Sequence, residues 1–537
     1  MKRYDLVIVG AGPSGLSAAI EAAGYGMKTV VYDENSRPGG QLFKQIHKFF
    51  GSKEHHAKIR GFRIGEELLQ EASAAGVEVQ LESTVTGIYE DKEVTVQRKG
   101  HIEHVKGDTI IVATGASENM VPFGGWDLPG VIGAGAAQTM MNLHGVKPGE
   151  KVLMLGSGNV GLVVSFQLMQ AGCEVVALVD AAPAIGGYGV HAAKLARCGV
   201  PFYMSHTITK AEGTDHVTGV VISQVNEKFQ KIPGTEKHFD ADTICVAVGL
   251  SPMSQLLKMS GCTMSDDPKR GGQVPETDEY GETSVSGVYA AGDVSGIEEA
   301  SSAMIEGRIS GTRAAYEMGF VSEEDEIKEL TKLKNDLLSL RRGMFAPGNK
   351  GKKIEKTEEG INVSQNLLTK GYLSEAEIFR YPGICRKKGL HPVIECSQNI
   401  PCNPCQDACK FSCINVGKDI TSLPVVNPLA KCSGCGMCVA SCSGQAIFLV
   451  DEDYDETGAS VTLPYEFFPL PRVGDQGYAR NRAGEIVCKA EVISVKSSPA
   501  YDRTNLLTIR VPKDMAMKAR FYADRAETKA ETAGGAV

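Results

Sequence analysis

The chain has 537 residues, 42% of them hydrophobic and 23% charged, with a formal net charge of -9. That length exceeds one compact core and predicts about three or four domains, while the acidic balance argues against nucleic acid or an anionic membrane as partner. No apolar run approaches the ~20 residues that span a bilayer. The opening MKRYDLVIVG enters a strand directly, without an apolar leader or cleavage site, so a cytoplasmic protein is expected.

The first predicted elements are a buried strand, a glycine turn, a small-residue helix and a second strand, in YDLVIVGAGPSGLSAAIEAAGYGMKTVVYDEN. Gly10 permits the tight turn, Gly12 lets backbone approach a pyrophosphate, and Gly15 lets helix pack on strand. The helix start offers free N–H groups to phosphate, and Asp33 ends the second strand where ribose hydroxyls would be met. The pattern recurs in KVLMLGSGNVGLVVSFQLMQAGCEVVALVD, with Gly156, Gly158, Gly161 and a terminal Asp180. An acid there suits NAD and repels the extra phosphate of NADP. Another adenine nucleotide, or none, fits the same residues.

Two further stretches, IIVATGAS (110–117) and GVYAAGDVSG (287–296), are strands ending in Thr114-Gly115 and in Gly292-Asp293. Together with GAGPSG, PGGQ (38–41) and GSGNVG they resemble the two-dinucleotide-domain flavoprotein disulfide-reductase superfamily, above all its thioredoxin-reductase-like branch, over about residues 1–320. The resemblance implies an α/β fold with two Rossmann-like domains, an FAD domain at 1–117 and 242–320 and an NAD-type domain at 118–241. It places FAD on Gly10, Gly12, Pro13, Ser14, Gly15, Asp33 and Glu34, with Val85, Thr114 and Gly115 nearby. Gly40 and Gln41 of PGGQ would meet its flavin side, Gly292 and Asp293 the ribityl chain, and Ser301 and Ser302 the ring. The second nucleotide would lie on Gly156, Gly158, Asn159, Val160, Gly161 and Asp180. Thioredoxin reductases carry a redox C-x-x-C in that second domain, whereas here only Cys173 and Cys198 occur, far apart, which argues against disulfide reduction. His47, His55 and His56 follow PGGQ and are read as surface histidines. No catalytic acid, base or nucleophile is assigned.

Residues 321–380 read as a charged linker. Ile327, Leu330, Leu333 and Leu337 have helical spacing at its start, and an exposed connector follows. Ten of the fifteen cysteines then crowd between Cys385 and Cys442, which in a chain without a leader reads as metal ligation rather than cross-linking. Cys432, Cys435, Cys438 and Cys442 have the C-x2-C-x2-C-x3-C spacing of bacterial ferredoxins, with Ser443 in place of the usual proline. Cys396, Cys402, Cys405 and Cys409 fit the same template with a longer first gap. Resemblance to two-cluster ferredoxins implies a small α+β module at 381–453 holding two [4Fe–4S] clusters. One would use Cys396, Cys402, Cys405 and Cys442, the other Cys409, Cys432, Cys435 and Cys438, leaving Cys413 spare. A local set of Cys402, Cys405, Cys409 and Cys413, with Cys396 spare, is the alternative, and zinc the bland one. Residues 454–520 read as a β-rich domain without assigned chemistry and 521–537 as a flexible tail.

A fused flavoprotein and cysteine-cluster chain resembles the FAD-binding alpha-type members of amino-acid dehydrogenases built from several different chains, among them proline dehydrogenase, opine and hydroxyproline oxidases and hydrogen cyanide synthase. That resemblance implies a hetero-oligomer in which a partner flavoprotein, similar to D-amino-acid oxidase, oxidises the amine, with a small additional subunit. This chain would then relay electrons between FAD, NAD(H) and clusters. A self-sufficient NAD(P)H:acceptor oxidoreductase, passing electrons to ferredoxin or quinone, and a non-enzymatic assembly scaffold remain as alternatives.

Overall fold

The computed structural model describes residues 1–350 and 352–525. Its first sheet runs Glu78–Gln80, Thr29–Tyr32, Lys2–Val9, His101–Val112, Glu93–Arg98, Ser83–Ile88, with Val288–Ala290 also pairing to His101–Val112. Lys2–Val9 pairs in parallel on both sides, Val9 lying opposite Tyr32 and Val112. Alternation sends Leu6 and Ile8 to one core with Leu16, Ile64 and Ile111, and Val7 and Val9 to another with Val94, Val96 and Ile110. A strand covered on both faces must be apolar throughout, which is why LVIV is uninterrupted.

The second sheet orders Phe202–Met204, Glu174–Asp180, Lys151–Leu155, Thr243–Val246, Val131–Gly133. Thr243–Val246 thus belongs to the second nucleotide fold, beyond the boundary expected at 241/242. The chain returns through Leu250–Pro252, which pairs with Ala116–Glu118 to form a two-stranded joint between the folds.

Within 321–380 the exposed connector is confined to about residues 352–362, while the stretches on either side of it pack. Helix Glu323–Leu340 buries Leu330, Leu333 and Leu337 against Ile305 and Ile309 of helix Ala300–Glu317, while Ile327 faces solvent. Further on, Leu367, Leu373 and Ile378 enter the C-terminal core. They sit on or beside short helices capped by Ser364 and Ser374, too short to leave a period in the sequence.

The C-terminal half is one antiparallel sheet: His391–Ile394, Ile447–Asp451, Gly458–Tyr465, Asn505–Pro512, Ile486–Lys496, Gln476–Arg480, Phe521–Ala523. The boundary expected at 453/454 therefore falls within a sheet, since strands on both sides of it pair. Both cysteine loops hang from its edge, Cys396 just after the first strand and Cys442 just before the second. Of the expected flexible tail, Phe521–Ala523 is a strand and residues 526–537 lie outside the described residues. Glu395, almost buried, is gripped by Arg482 at 2.6 Å and Arg520 at 2.5 Å. The two halves are sewn together by Lys48, whose Nζ donates to Ala440 O, Tyr501 O and Thr504 Oγ1, and by Arg60, paired with Glu466 and Asp502. Among the described residues no helix is long and apolar enough to cross a membrane.

Candidate redox site

At the first glycine turn, Gly10 has φ +104°, and a Cβ on it would stand 2.4 Å from Ala113 O. A Cβ on Gly15 would stand 1.9 Å from Gly10 O, whereas one on Gly12 would meet nothing within 4 Å. Open space thus lies at the helix start, where a phosphate would approach, and Pro13 opens that helix. Ser14 Oγ below it is buried without a partner. Asp33, expected to meet a ribose, ties the turn: Oδ2 accepts from Ala11 N at 2.7 Å and Oδ1 from Asn35 N and Nδ2. A carboxylate has about four acceptor positions, leaving it capacity for a ribose as well; Glu34 beside it is exposed.

Gly39 N donates to Ala11 O at 2.7 Å, and Gly40 lies against Gly12, with Gln41 exposed beyond it. Val85 is packed in the core with Val94 and Val96, so any cofactor contact from it would be by main chain. Thr114 Oγ1 donates to Met253 O, and Gly115 has φ +72°. Asp293 has Glu298 N on its Oδ1, and burial raises its pKa to about 6. Ser301 and Ser302 are buried in the first turn of helix Ala300–Glu317. One residue carries no signal in the sequence: Glu306 accepts from Gly292 N at 2.9 Å and pairs with Arg341, and burial raises it to about 7 against the pull of that arginine. Arg341 arrives from the end of the supposed linker helix, so no local pattern could announce the pair. The open helix start, the orphan Ser14 hydroxyl and the glycines fit a dinucleotide diphosphate here.

The second turn repeats the geometry. Gly156 has φ +113°, a Cβ on Gly161 would stand 2.1 Å from Gly156 O, and Gly158 has nothing near it. Asp180 accepts from Ser157 N, Ser157 Oγ and Ala182 N, much as Asp33 does in the first. Gly187 N donates to Ser157 O at 2.9 Å, matching Gly39 on Ala11. Asn159 donates to Glu299 across the gap between the folds, and Val160 is exposed.

None of the fifteen cysteines is in a disulfide. Burial pushes Cys396 up to about 12, with Cys442 adding to it. Cys402 and Cys405 are raised first by burial and then by neighbouring thiols, Cys396 and Cys442 acting on both. The second set, Cys409, Cys432, Cys435 and Cys438, lines one apolar cleft with Phe411, Cys413 and Leu449. Cys396, Cys402, Cys405 and Cys442 thus lie near one another, and Cys438 of the second set also acts on Cys405. Cys413 is 2% exposed, and its N donates to Cys409 Sγ at 3.3 Å. Ala446 N and Gly434 N point at Cys442 Sγ and Cys432 Sγ. Among the described residues no three His, Cys, Asp or Glu side chains converge as they would about a single metal ion. Thiolates around a cubane stand further apart, because four irons lie between them, and cysteines packed on neighbouring cores, with amides aimed at the sulfurs of Cys432 and Cys442, fit such groups.

The histidines differ from expectation. His47 Nδ1 is buried without a partner, and burial lowers its pKa to about 3. His55 is buried between Ser52 and Asp336 O, while His47 and His56, the latter near Glu67, are half-buried. The segment they occupy joins the first glycine-turn fold to the cysteine loops. Ser301 Oγ donates to His55 O on the cofactor side, while Asn403 N donates to Gly51 O and Ser443 Oγ to Phe49 O on the cysteine side.

Comparison with known proteins agrees with this geometry. One of the opine oxidase chains of Agrobacterium tumefaciens is 29% identical over 345 residues, 60% of this chain and 67% of that one. The hydrogen cyanide synthase chain HcnB of Pseudomonas aeruginosa is 30% identical over 325 residues, 57% of this chain and 69% of that one. The chain therefore spans about two thirds of the length of these relatives. In fold it is similar to thioredoxin reductase of T. acidophilum, with a TM-score of 0.50 and 22% identity over 60% of this chain and all of that one. The family model for pyridine nucleotide-disulphide oxidoreductases matches residues 4–319, more than half of the chain, and the protein belongs to that family.

Proposed function

We propose that this chain is the electron-relay member of an amino-acid or amine dehydrogenase complex, with FAD on the first glycine turn, an adenine nucleotide on the second and a [4Fe–4S] cluster on each group of four cysteines. A flavin exchanges two electrons and a cubane one, so the pair converts between two-electron and one-electron traffic. The chain's part is to hold these groups. Gly12 and the helix start receive the diphosphate, Glu306 and Arg341 fix Gly292 beside it, and the two groups of cysteines supply the thiolates. The observation that carries the reading is the bridge at residues 47–56, which touches Ser301 at one end and the Cys402 and Cys442 loops at the other. The names of the relatives, both subunits of larger enzymes, support a hetero-oligomer, in which a partner flavoprotein would oxidise the amine.

The test is anaerobic purification from the native host, with flavin, iron and sulfide analysis and identification of co-purifying chains. An oxidase-like flavoprotein that confers amino-acid-dependent reduction is expected. Stoichiometric zinc with little sulfide would overturn the relay. The retained second turn favours one other reading, an NAD(P)H:acceptor oxidoreductase, and rapid bleaching of the flavin by NADH without any partner would select it.

A further inference from the structure

Residues 186–190 form a strap fastened at both ends. At one end it lies on the second glycine turn: Gly186 N donates to Ser157 Oγ at 3.2 Å, Gly187 N to Ser157 O at 2.9 Å, and Tyr188 N to Asn159 Oδ1 at 2.8 Å. A Cβ on Gly187 would stand 2.8 Å from Asn159 N, an amide at the helix start that a diphosphate would address. At the other end, Gly189 N donates to Gln398 Oε1 at 2.7 Å. Val190 presses on Gly444, where a Cβ would stand 2.6 Å from Val190 Cγ2. Tyr188 and Val190 share a core with Ile400 and Ala446, against which Cys396, Cys402 and Cys442 pack. Three of the four thiols in the buried group therefore pack on the core of the strap that rims the second nucleotide turn.

We propose that the second nucleotide fold is an effector site: an adenosine diphosphate moiety bound at residues 157–160 shifts the reduction potential of the cluster on Cys396, Cys402, Cys405 and Cys442 through the strap. This rests on the cluster reading above. The expected direction follows from charge. A diphosphate is an anion and reduction adds an electron, so the bound nucleotide disfavours the reduced cluster. Any change in the seat of the strap also reaches the packing around the thiols. Linkage makes the effect reciprocal, so reduction weakens nucleotide binding by the same factor. A difference of about threefold lowers the potential by about 28 mV, at 59 mV per tenfold for one electron.

The probe is ADP, which carries the diphosphate and no nicotinamide. The full chain is loaded with iron and sulfide, assayed for both, and titrated by EPR with and without ADP, alongside calorimetry of ADP binding. ADP is expected to bind and to lower one cluster's potential by the equivalent of about threefold, leaving the other unmoved. Gln398→Ala should keep ADP affinity and iron content while the shift falls below about 1.3-fold. Val190→Ala loosens the strap from the cysteine side, where it presses on Gly444, and serves as the second variant if Gln398→Ala loses iron. Absence of ADP binding, bound ADP without a shift, or an undiminished shift in both variants would overturn the effector role. A chain that takes up neither iron nor sulfide overturns the cluster reading itself, and the chemical assay reveals this before any titration.

Discussion

The two groups of four cysteines share a spacing pattern but lie in different fields. Around Cys442 stand three buried cations. Lys48 and Lys194 line a small cavity with it, and Arg197 Nη2 donates to Gln445 O at 3.0 Å. Burial lowers Lys194 to about 8, which leaves it largely protonated at neutral pH. The other group has Lys387 beside it, bonded to Ala430 O, and its Cys435 is exposed. A positive field favours the more negative, reduced state of a cluster. On the proposed cluster reading, the inner group, with Cys442, would receive electrons from the flavin side, and the outer one, with exposed Cys435, would face a partner. Identical ligand sets need not be interchangeable; the fold around them sets their order.

The largest expected effect that tests this contrast is loss of a whole centre. Cys402→Ser should remove about half of the bound iron and the inner EPR signal, and Cys438→Ser the other half; loss of both signals from either variant would merge the two groups. Next comes Glu395, which precedes Cys396. Burial pushes its carboxyl up, but Arg482 and Arg520 outweigh that and hold it at about 2. A folded pKa below the ordinary value of about 4.5 means stability present above that pH and lost as the pH falls toward 2, on the order of 3 kcal/mol. Glu395→Gln should cost about 3–5 kcal/mol in urea unfolding, since it strands two buried guanidinium groups, and the inner group should lose iron first. A smaller effect is expected from Lys194→Met, which should lower the inner potential by on the order of tens of millivolts and leave the outer one in place; equal shifts at both would remove the asymmetry. The smallest concerns Cys413→Ala, for which unchanged iron content is expected while Cys396→Ala damages the inner cluster, as iron analysis and EPR would report.

What is legible in the sequence is local. Both glycine turns show because a strand, three glycines and a terminal acid follow one another within about thirty residues, and the cysteine groups show because ligand spacing is short. The second function of Asp33 and Asp180, tying the turn to Ala11 and Ser157, has no separate signal. Glu306 with Arg341, Lys48 with the carbonyls of the cysteine half, and Glu395 with two distant arginines join residues far apart in the chain, where a single sequence carries no pairing information. His47 and His55 look like surface residues in the sequence because their burial comes from other segments folding over them. The segment after residue 340 looks like a connector because its apolar anchors sit on or beside one-turn helices. The glycine pairs 39–40 and 186–187 are visible as residues; their equivalence shows only in the fold, where each leans on a glycine turn.

Lys48 has a bearing on the history of the chain. Among the described residues its ammonium is satisfied only by groups from beyond residue 439, and Arg60 likewise takes its carboxylates from residues 466 and 502. A chain that ended after helix Glu323–Leu340 would leave two cations without counterparts, in a surface shaped to be covered. The flavoprotein half is therefore no longer portable. A recombination event that exchanged the C-terminal half would have to supply three new acceptors for one lysine and new carboxylates for one arginine, so the two halves are bound to change together.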